Sequence, residues 1–333
     1  MKKIKLRTKV ALSAFMIIVL VFGGAFAYTF YQLSKVKTTV ISKTNEDLGI
    51  KVKDPIEEKE EESNEVINIA LFGLDRRSKN EPARSDSIMI LSIDKKHNKI
   101  KMSSIMRDTY VKINGHGETK INHAYAYGGP LLAIRTLNEN FDLDIRDYVA
   151  VDFFNAEALI DAMGGVTIDV NQDEIALINS GAAGVANLEK KSVATIKVAG
   201  PQTLSGLQAV AYSRIRYLAG GDFVRTERQR TVLAAMLAKL QSLKPTEIPT
   251  AVSNLLPFTE TSMNSIDIMK LGSNVITTKK MVLEQQRFPL DGYCKGKTID
   301  GVWYLVADME PTVDQLHKYI YEDIKPVPKS PQF

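Results

Sequence analysis

The chain has 333 residues, 44% of them hydrophobic, and a formal net charge of +4. That composition belongs to a globular protein with a sizeable core and excludes global disorder, while so small a net charge means that any argument from basicity rests on where the charges cluster. The single cysteine, Cys294, excludes an internal disulfide framework and a cysteine-based zinc cage, and reads as a structural residue.

Lys2, Lys3, Lys5, Arg7 and Lys9 precede an uncharged stretch over residues 10–34. It is long enough for the roughly 20 apolar residues of a bilayer-spanning helix, and a basic flank stays in the cytoplasm. The expectation is a cytoplasmic tail over 1–9, one transmembrane anchor over 10–34 and a large domain outside the cell membrane. Ala25-Phe26-Ala27 has the small-residue spacing of a signal-peptide cleavage site, which is the competing reading. Tyr28, Phe30 and Tyr31 continue the uncharged stretch with rings suited to a membrane interface and favour retention. Residues 35–65, with the run Glu57-Glu58-Lys59-Glu60-Glu61-Glu62, read as a solvated acidic stalk.

Three strands are expected over 66–74, 87–93 and 99–106, the last two joined as a hairpin by the polar turn at Asp94-Lys95-Lys96-His97-Asn98. A helix over 130–141, a strand over 148–153, a helix over 155–162 stopped by Gly164-Gly165 and a strand over 166–170 follow. The alternation indicates an α/β layered core, a mixed central sheet flanked by helices. Residues 171–200 show no strong period and read as a long surface excursion beside the site. Ser205 with Gln208 and Thr226 with Gln229 each carry a capping-box pattern, and Val232, Leu233, Met236, Leu237 and Leu240 form an apolar stripe read as core. Helices over 266–273 and 312–322 and a strand pair, 281–288 with 298–306, complete the chain. The main domain is thus expected over 66–245, with 246–333 packed on it.

The common nucleotide-binding, zinc-protease and esterase signatures do not occur, and His97, His116, His123 and His317 stand without a partner pattern. What remains is charge at element ends. Asp75 and Arg76 follow the first strand, Arg84 and Asp86 precede the second, and Arg107 and Asp108 follow the third; any one alone is an ordinary solubilising residue, but their shared placement is not. Arg214 and Arg216 alternate near the end of one helix, and Asp222, Arg225, Arg228 and Arg230 surround the start of the next. Arginine's planar fork matches phosphate oxygens in pairs, and a helix N-terminus adds free amides and a favourable dipole, so residues 222–229 form an anion seat or, alternatively, a solvated basic face with Gln229 only a capping residue. Asp75 and Asp86 beside such arginines call for a cation between them, and magnesium fits, because it takes one or two carboxylates plus phosphate oxygens and water.

The strings Gly73-Leu74-Asp75-Arg76, Arg84-Ser85-Asp86-Ser87, Ser104-Ile105-Met106-Arg107-Asp108-Thr109-Tyr110-Val111 and Lys120-Ile121-Asn122-His123-Ala124-Tyr125-Ala126-Tyr127-Gly128-Gly129 closely resemble the LytR-CpsA-Psr family. Asp152-Phe153, Asp161-Ala162-Met163-Gly164-Gly165-Val166, Leu204-Ser205-Gly206-Leu207-Gln208-Ala209, Tyr212-Ser213-Arg214-Ile215-Arg216 and Gly221-Asp222-Phe223-Val224-Arg225-Thr226-Glu227-Arg228-Gln229 continue the pattern in order, over about residues 66–243 plus the anchor. The resemblance implies an enzyme on the outer face of the membrane that moves an anionic glycopolymer, of teichoic acid or capsular polysaccharide type, from an undecaprenyl-pyrophosphate carrier to peptidoglycan through a phosphodiester. It implies magnesium at Asp75 and Asp86, pyrophosphate at Arg84, Arg107, Arg214, Arg216 and Arg225 with Arg228 and Gln229 close by, catalysis by Arg107, Arg214, Arg216 and Arg225, and an apolar pocket for the prenyl chain. Two departures from the family pattern are Met106 in place of a usual proline and Val224 in place of a usual glycine.

Three other classes remain open to the sequence. Water in place of a sugar hydroxyl would make the protein a polyprenyl-pyrophosphate hydrolase. A transcriptional regulator would use the arginines on nucleic acid, but the expected topology puts only a short basic tail in the cytoplasm. A wall-binding module would need the same anion site without paired aspartates.

Overall fold

The computed structural model describes residues 38–51, 66–76, 82–216, 221–244, 247–264, 266–268, 270–271 and 281–330. Strands β1 (Val66–Asp75), β2 (Arg84–Asp94) and β3 (Lys99–Ile105) lead into a small hairpin, β4 (Tyr110–Ile113) and β5 (Gly117–Lys120). Helix α1 (His123–Phe141), β6 (Asp147–Asp152), α2 (Phe153–Ala162), β7 (Val166–Val170), α3 (Ile175–Glu189), β8 (Gly200–Leu204), α4 (Gly206–Ser213) and α5 (Gly221–Ser242) follow. The chain ends with α6 (Ile248–Leu255), β9 (Glu260–Thr261), β10 (Val282–Phe288), the hairpin β11 (Cys294–Ile299) and β12 (Val302–Ala307), and α7 (Met309–Tyr321).

Six of these strands form one mixed sheet in the order β10-β3-β2-β1-β6-β9. β1 pairs antiparallel with β2 and parallel with β6, and β10 runs parallel to β3. Side chains alternate across a sheet, so Ala70, Phe72 and Leu74 of β1 enter one core with Leu137 and Phe141 of α1 and Leu316 and Ile320 of α7. Leu71 and Gly73 point the other way, toward α2 and α5. Helices therefore cover both faces, as the alternation of the sequence leads one to expect. A second core lies under α3, α4, β7 and β8, around Ile168, Ile178, Leu204 and Tyr212.

Four expectations are corrected. Residues 171–200 are only in part a surface excursion: α3 occupies half of them and buries Ile175, Ile178, Ala182 and Ala186, while residues 190–199 are irregular and mostly exposed. Residues 38–51 are not stalk. Leu48 is fully buried in the main core, Asn138 Nδ2 donates to its carbonyl at 2.9 Å, and the Thr39 amide donates to the Thr261 carbonyl at 2.9 Å. Thr226 does not cap α5, which begins five residues earlier; its hydroxyl donates to the Asp222 carbonyl at 2.9 Å inside the helix. Strand 281–288 does not pair with 298–306 but adds to the sheet edge as β10, while β11 and β12 pair with each other. The other expected strands and helices are present within a few residues, except that α1 starts at His123 and turns through non-helical Gly128 and Gly129 before Pro130, and that the helix expected over 266–273 falls partly outside the described residues. The expected anchor lies outside the described residues, among which no helix is long and apolar enough to cross a membrane.

The C-terminal elements are tied to the sheet by a buried charge cluster. Lys101 and Asp94, both with fully buried side chains, pair at 2.7 Å, Lys101 also donates to the Ile320 carbonyl at 3.0 Å, and Asp323 stands 3.2 Å from the same ammonium. Burial alone would push the Asp94 carboxyl up, but hydrogen bonds from Lys101 and His97 outweigh it and hold the carboxyl below the usual aspartate value. Asp323 is likewise lowered, burial being outweighed by Lys99 and Lys101. A depressed folded-state value contributes stability that is complete above the unfolded value of about 3.9 and is lost as the pH falls through the folded one. Thermal melts should therefore be flat from neutral pH to about pH 5 and fall below about pH 4, with a shallower fall for Asp323→Asn. A melting temperature unchanged down to pH 3 would contradict this account.

Candidate active site

The site is built where β1 and β2 end. Gly73 pairs with Ser87, and the register shifts between Gly73 and Leu74. A Cβ at Gly73 would stand 2.8 Å from the Ser87 Cβ, so only glycine allows the two strands to approach this closely. Beyond the shift, Asp75 and Asp86 line one cleft together with Arg214, Arg216, Arg225 and Gln229.

Each arginine reaches the cleft by a different local device. Ile215 is buried, so its neighbours Arg214 and Arg216 are left exposed on the cleft side. The Arg214 guanidinium stacks 4.7 Å from the centre of the Phe153 ring, which fixes its plane. Arg225, near the start of α5, is only 3% exposed. It donates to Asp222 at 2.9 Å and approaches the Asp86 carbonyl at 3.5 Å. Burial, with Arg107 and Arg216 adding repulsion and Asp222 opposing it, pushes its value down to about 10. It therefore stays charged at neutral pH while carrying an unrelieved desolvation cost that a bound anion would offset.

Asp86 is held from behind. Arg107 Nη1 donates to one carboxylate oxygen and Asn122 Nδ2 to the other, the second at 3.1 Å. Arg107 also lies 3.6 Å from Asp222 and 3.5 Å from Asp108, so it links three carboxylates rather than lining the cleft. Arg84 opens β2 opposite Asp75 and is exposed, outside the cleft lining. Arg228 is turned away: its Nε donates to Glu174 at 2.8 Å in a buried pair, and its guanidinium sits 5.8 Å from the Tyr212 ring centre. Sequence reasoning gave no individual role to Asn122, Ser87 or Phe153 and placed Asp222 only as the opening of the anion seat; the signal for all four was their place inside the motif strings.

Against the cleft lies an apolar cavity of about 210 Å³, walled by Val149, Val151, Leu159, Val232, Leu233 and Met236 among others. It exceeds the ~150 Å³ dry cavity that accepts a benzene ring, and so has room for branched hydrocarbon. Gly73, Ser87, Phe153 and Gln229 line both the cavity and the cleft, so the two are continuous. The apolar stripe of α5 is in part a cavity wall.

A model of the LytR_cpsA_psr family matches residues 28–319. The chain belongs to this family. It is 32% identical over 294 residues to the polyisoprenyl-teichoic acid–peptidoglycan teichoic acid transferase TagU of Bacillus cereus, covering 86% of this chain and 88% of the relative. It is 34% identical over 252 residues to the transferase of the same description, TagT, of Bacillus subtilis, covering 73% of each. The solved structure of the LytR-CPS2A-psr family protein YwtF (TagT) with bound octaprenyl pyrophosphate lipid superposes with a TM-score of 0.60 at 27% identity, covering 85% of this chain and 98% of that one. The LytR_cpsA_psr match runs well past the motif strings, into α7. Of the two departures, Met106 is fitted to its place: its amide donates to the Phe288 carbonyl at 3.0 Å, a bond that proline could not make. Val224 is half-buried, and Arg225 beside it still reaches the cleft.

Proposed function

We propose that this protein is an extracytoplasmic phosphotransferase that moves an anionic glycopolymer from a polyprenyl-pyrophosphate carrier to peptidoglycan. The observation that carries the proposal is the continuity of an apolar cavity with a cleft bearing Arg214, Arg216 and Arg225, which matches a ligand that is hydrocarbon at one end and pyrophosphate at the other. The named activity of the TagU and TagT relatives and the lipid in the TagT complex support it. In this reading residues 10–34 anchor the chain in the cell membrane with the N-terminus inside.

Prenyl carbons occupy the cavity between Leu159 and Met236, and the pyrophosphate lies in the cleft. Arg214 and Arg216 grip its oxygens in pairs, and the buried Arg225 supplies a preoriented charge. A sugar hydroxyl attacks the phosphorus nearer the polymer, the bond from that phosphorus to the bridging oxygen breaks, polyprenyl phosphate leaves with the electron pair, and the hydroxyl proton passes to the departing phosphate or to solvent. Arg107 and Asn122 keep Asp86 oriented throughout. The residues fit magnesium: Asp75 and Asp86 offer two hard carboxylates to one cleft, and each Asp86 oxygen keeps a lone pair beyond its one hydrogen bond. Bound there, the ion would neutralise charge on the transferred phosphoryl group.

Mass spectrometry of lipids extracted from the protein purified out of its own membranes should find a polyprenyl phosphate or pyrophosphate. The double variant Arg214→Ala, Arg216→Ala should lose it while melting as the parent does. No such lipid in either protein, with both folded, would overturn the carrier site.

A further inference from the structure

A second surface beside the cleft has the makings of a sugar subsite. Trp303 of β12 is the chain's only tryptophan and is 48% exposed. One edge lies flat on the paired strand, where a Cβ at Gly296 would stand 2.7 Å from its Nε1. The ring is therefore packed against that strand while about half of the residue stays exposed. Next to it, Tyr304 packs edge-on against Tyr110 of β4 with ring centres 4.8 Å apart. Lys120, across the hairpin from Tyr110, places its ammonium 5.8 Å from the Trp303 ring centre and 5.9 Å from that of Tyr304. A bridge between Thr109 and Leu305 fastens the two hairpins together.

This platform is wired to the reaction cleft. Lys120 pairs with one oxygen of Asp108 at 2.7 Å, the other oxygen of Asp108 lies 3.5 Å from Arg107, and Arg107 donates to Asp86. One ammonium and one carboxylate thus separate the aromatic rings from the side chain that orients the cleft aspartate. A tryptophan ring that is packed on one strand and about half exposed offers a flat apolar surface with a polar N–H at its edge. Pyranose rings match such a surface, since one face is a patch of C–H bonds and the rim is hydroxyl.

We propose that Trp303, Tyr304 and Tyr110 form the subsite that seats the uncharged glycan strand of the acceptor, with Lys120 hydrogen-bonding its hydroxyls, a reading that rests on the transferase function above. Local charge favours this occupant over a polyanionic cargo. Lys120 is paired with Asp108, Lys112 stands across from Glu118, and Asp300 lies near the Tyr110 hydroxyl with Lys297 across from Tyr304, so these cations are matched by carboxylates.

Because Trp303 is the only tryptophan, its emission reports on this surface alone. The full-length protein in detergent is titrated with a soluble β-1,4-linked N-acetylglucosamine hexasaccharide. Emission should change saturably, and Trp303→Ala should weaken binding of the same probe about tenfold by calorimetry, with Trp303→Phe intermediate. Carrier lipid retained by these variants should equal that of the parent, because the platform is separate from the cavity. Unchanged emission up to millimolar probe, or equal affinity in Trp303→Ala, would overturn the subsite. Loss of retained lipid in a normally melting Trp303→Ala would also overturn it, by placing Trp303 in the carrier site. Absence of lipid in the parent would instead fail the transferase reading, while the fluorescence result would stand on its own.

Discussion

Asp86→Ala is expected to lower polymer transfer by at least about 100-fold, the scale of losing one preoriented electrostatic group at a reacting phosphoryl or acyl centre. The cost has two parts. The carboxylate is one of the two that face the cleft, and it is also the acceptor that holds Arg107 and Asn122. Removing it leaves Arg107 to swing toward Asp222 and Asp108, which lie at 3.6 and 3.5 Å, and so disturbs the wall that Arg225 completes. Asp86→Asn keeps the volume and one acceptor oxygen but removes the charge, and should recover the fold without the rate. The measurement is transfer of a purified lipid-linked glycopolymer to peptidoglycan with magnesium present, alongside a melting curve. Turnover within threefold of the parent would show that this cleft does not do the chemistry, and would favour a wall-binding module.

The second large effect is on stability. Arg228→Met should destabilise the protein by about 3–5 kcal/mol, because it strands Glu174, whose side chain is 3% exposed, as an unpaired buried carboxylate. In a chain of this size that corresponds to a fall of roughly 6–20 °C in melting temperature. The other Glu174 oxygen accepts the Asn171 amide at 3.0 Å and cannot compensate for the lost guanidinium. Replacing both partners, Arg228→Met with Glu174→Leu, should restore much of the loss, since an apolar pair of similar volume can match a buried ion pair. Scanning calorimetry of the three variants decides it. A normal melting temperature in Arg228→Met together with loss of bound lipid would return Arg228 to the pyrophosphate site suggested by the motif.

The contrast between Arg228 and its neighbours shows what the sequence carried. Arg214, Arg216, Arg225, Asp75, Asp86 and Gln229 converge on one cleft as their position at element ends implied, because strand ends and helix starts meet at one edge of a layered sheet. Within α5, however, the side chains of Arg225 and Arg228 leave the helix only about 60° apart and both are buried, so only knowledge of Glu174 on α3 says which one turns away from the cleft. Helix α3 itself was hard to see. Its buried positions 175, 178, 182 and 186 follow a helical period, but two are alanines, which contribute little to an apolar stripe. Thr226 misled for a related reason: a hydroxyl three residues before a glutamine has the same spelling inside a helix as at its start. The apolar cavity was illegible in principle, since Leu233 and Met236 have the composition of core residues and only the absence of a facing side chain makes them a wall.

Docking of residues 38–51 onto the folded body changes the reach of the enzyme. A free stalk from 35 to 65 would let the domain wander up to about 100 Å from the bilayer, at ~3.3–3.6 Å per extended residue. With Thr39 bonded to Thr261 and Leu48 locked beneath α1, the leash from the end of the proposed anchor at Ser34 to Thr38 is only four residues, a contour of about 14 Å. The acidic run Glu57 to Glu62 follows the docked segment in the chain and adds nothing to the leash. The protein would work as a hugger of the membrane surface, meeting its carrier without having to lift the prenyl chain far from the bilayer. Only the stratum of wall polymer lying against the membrane, the newest, would come within its grasp.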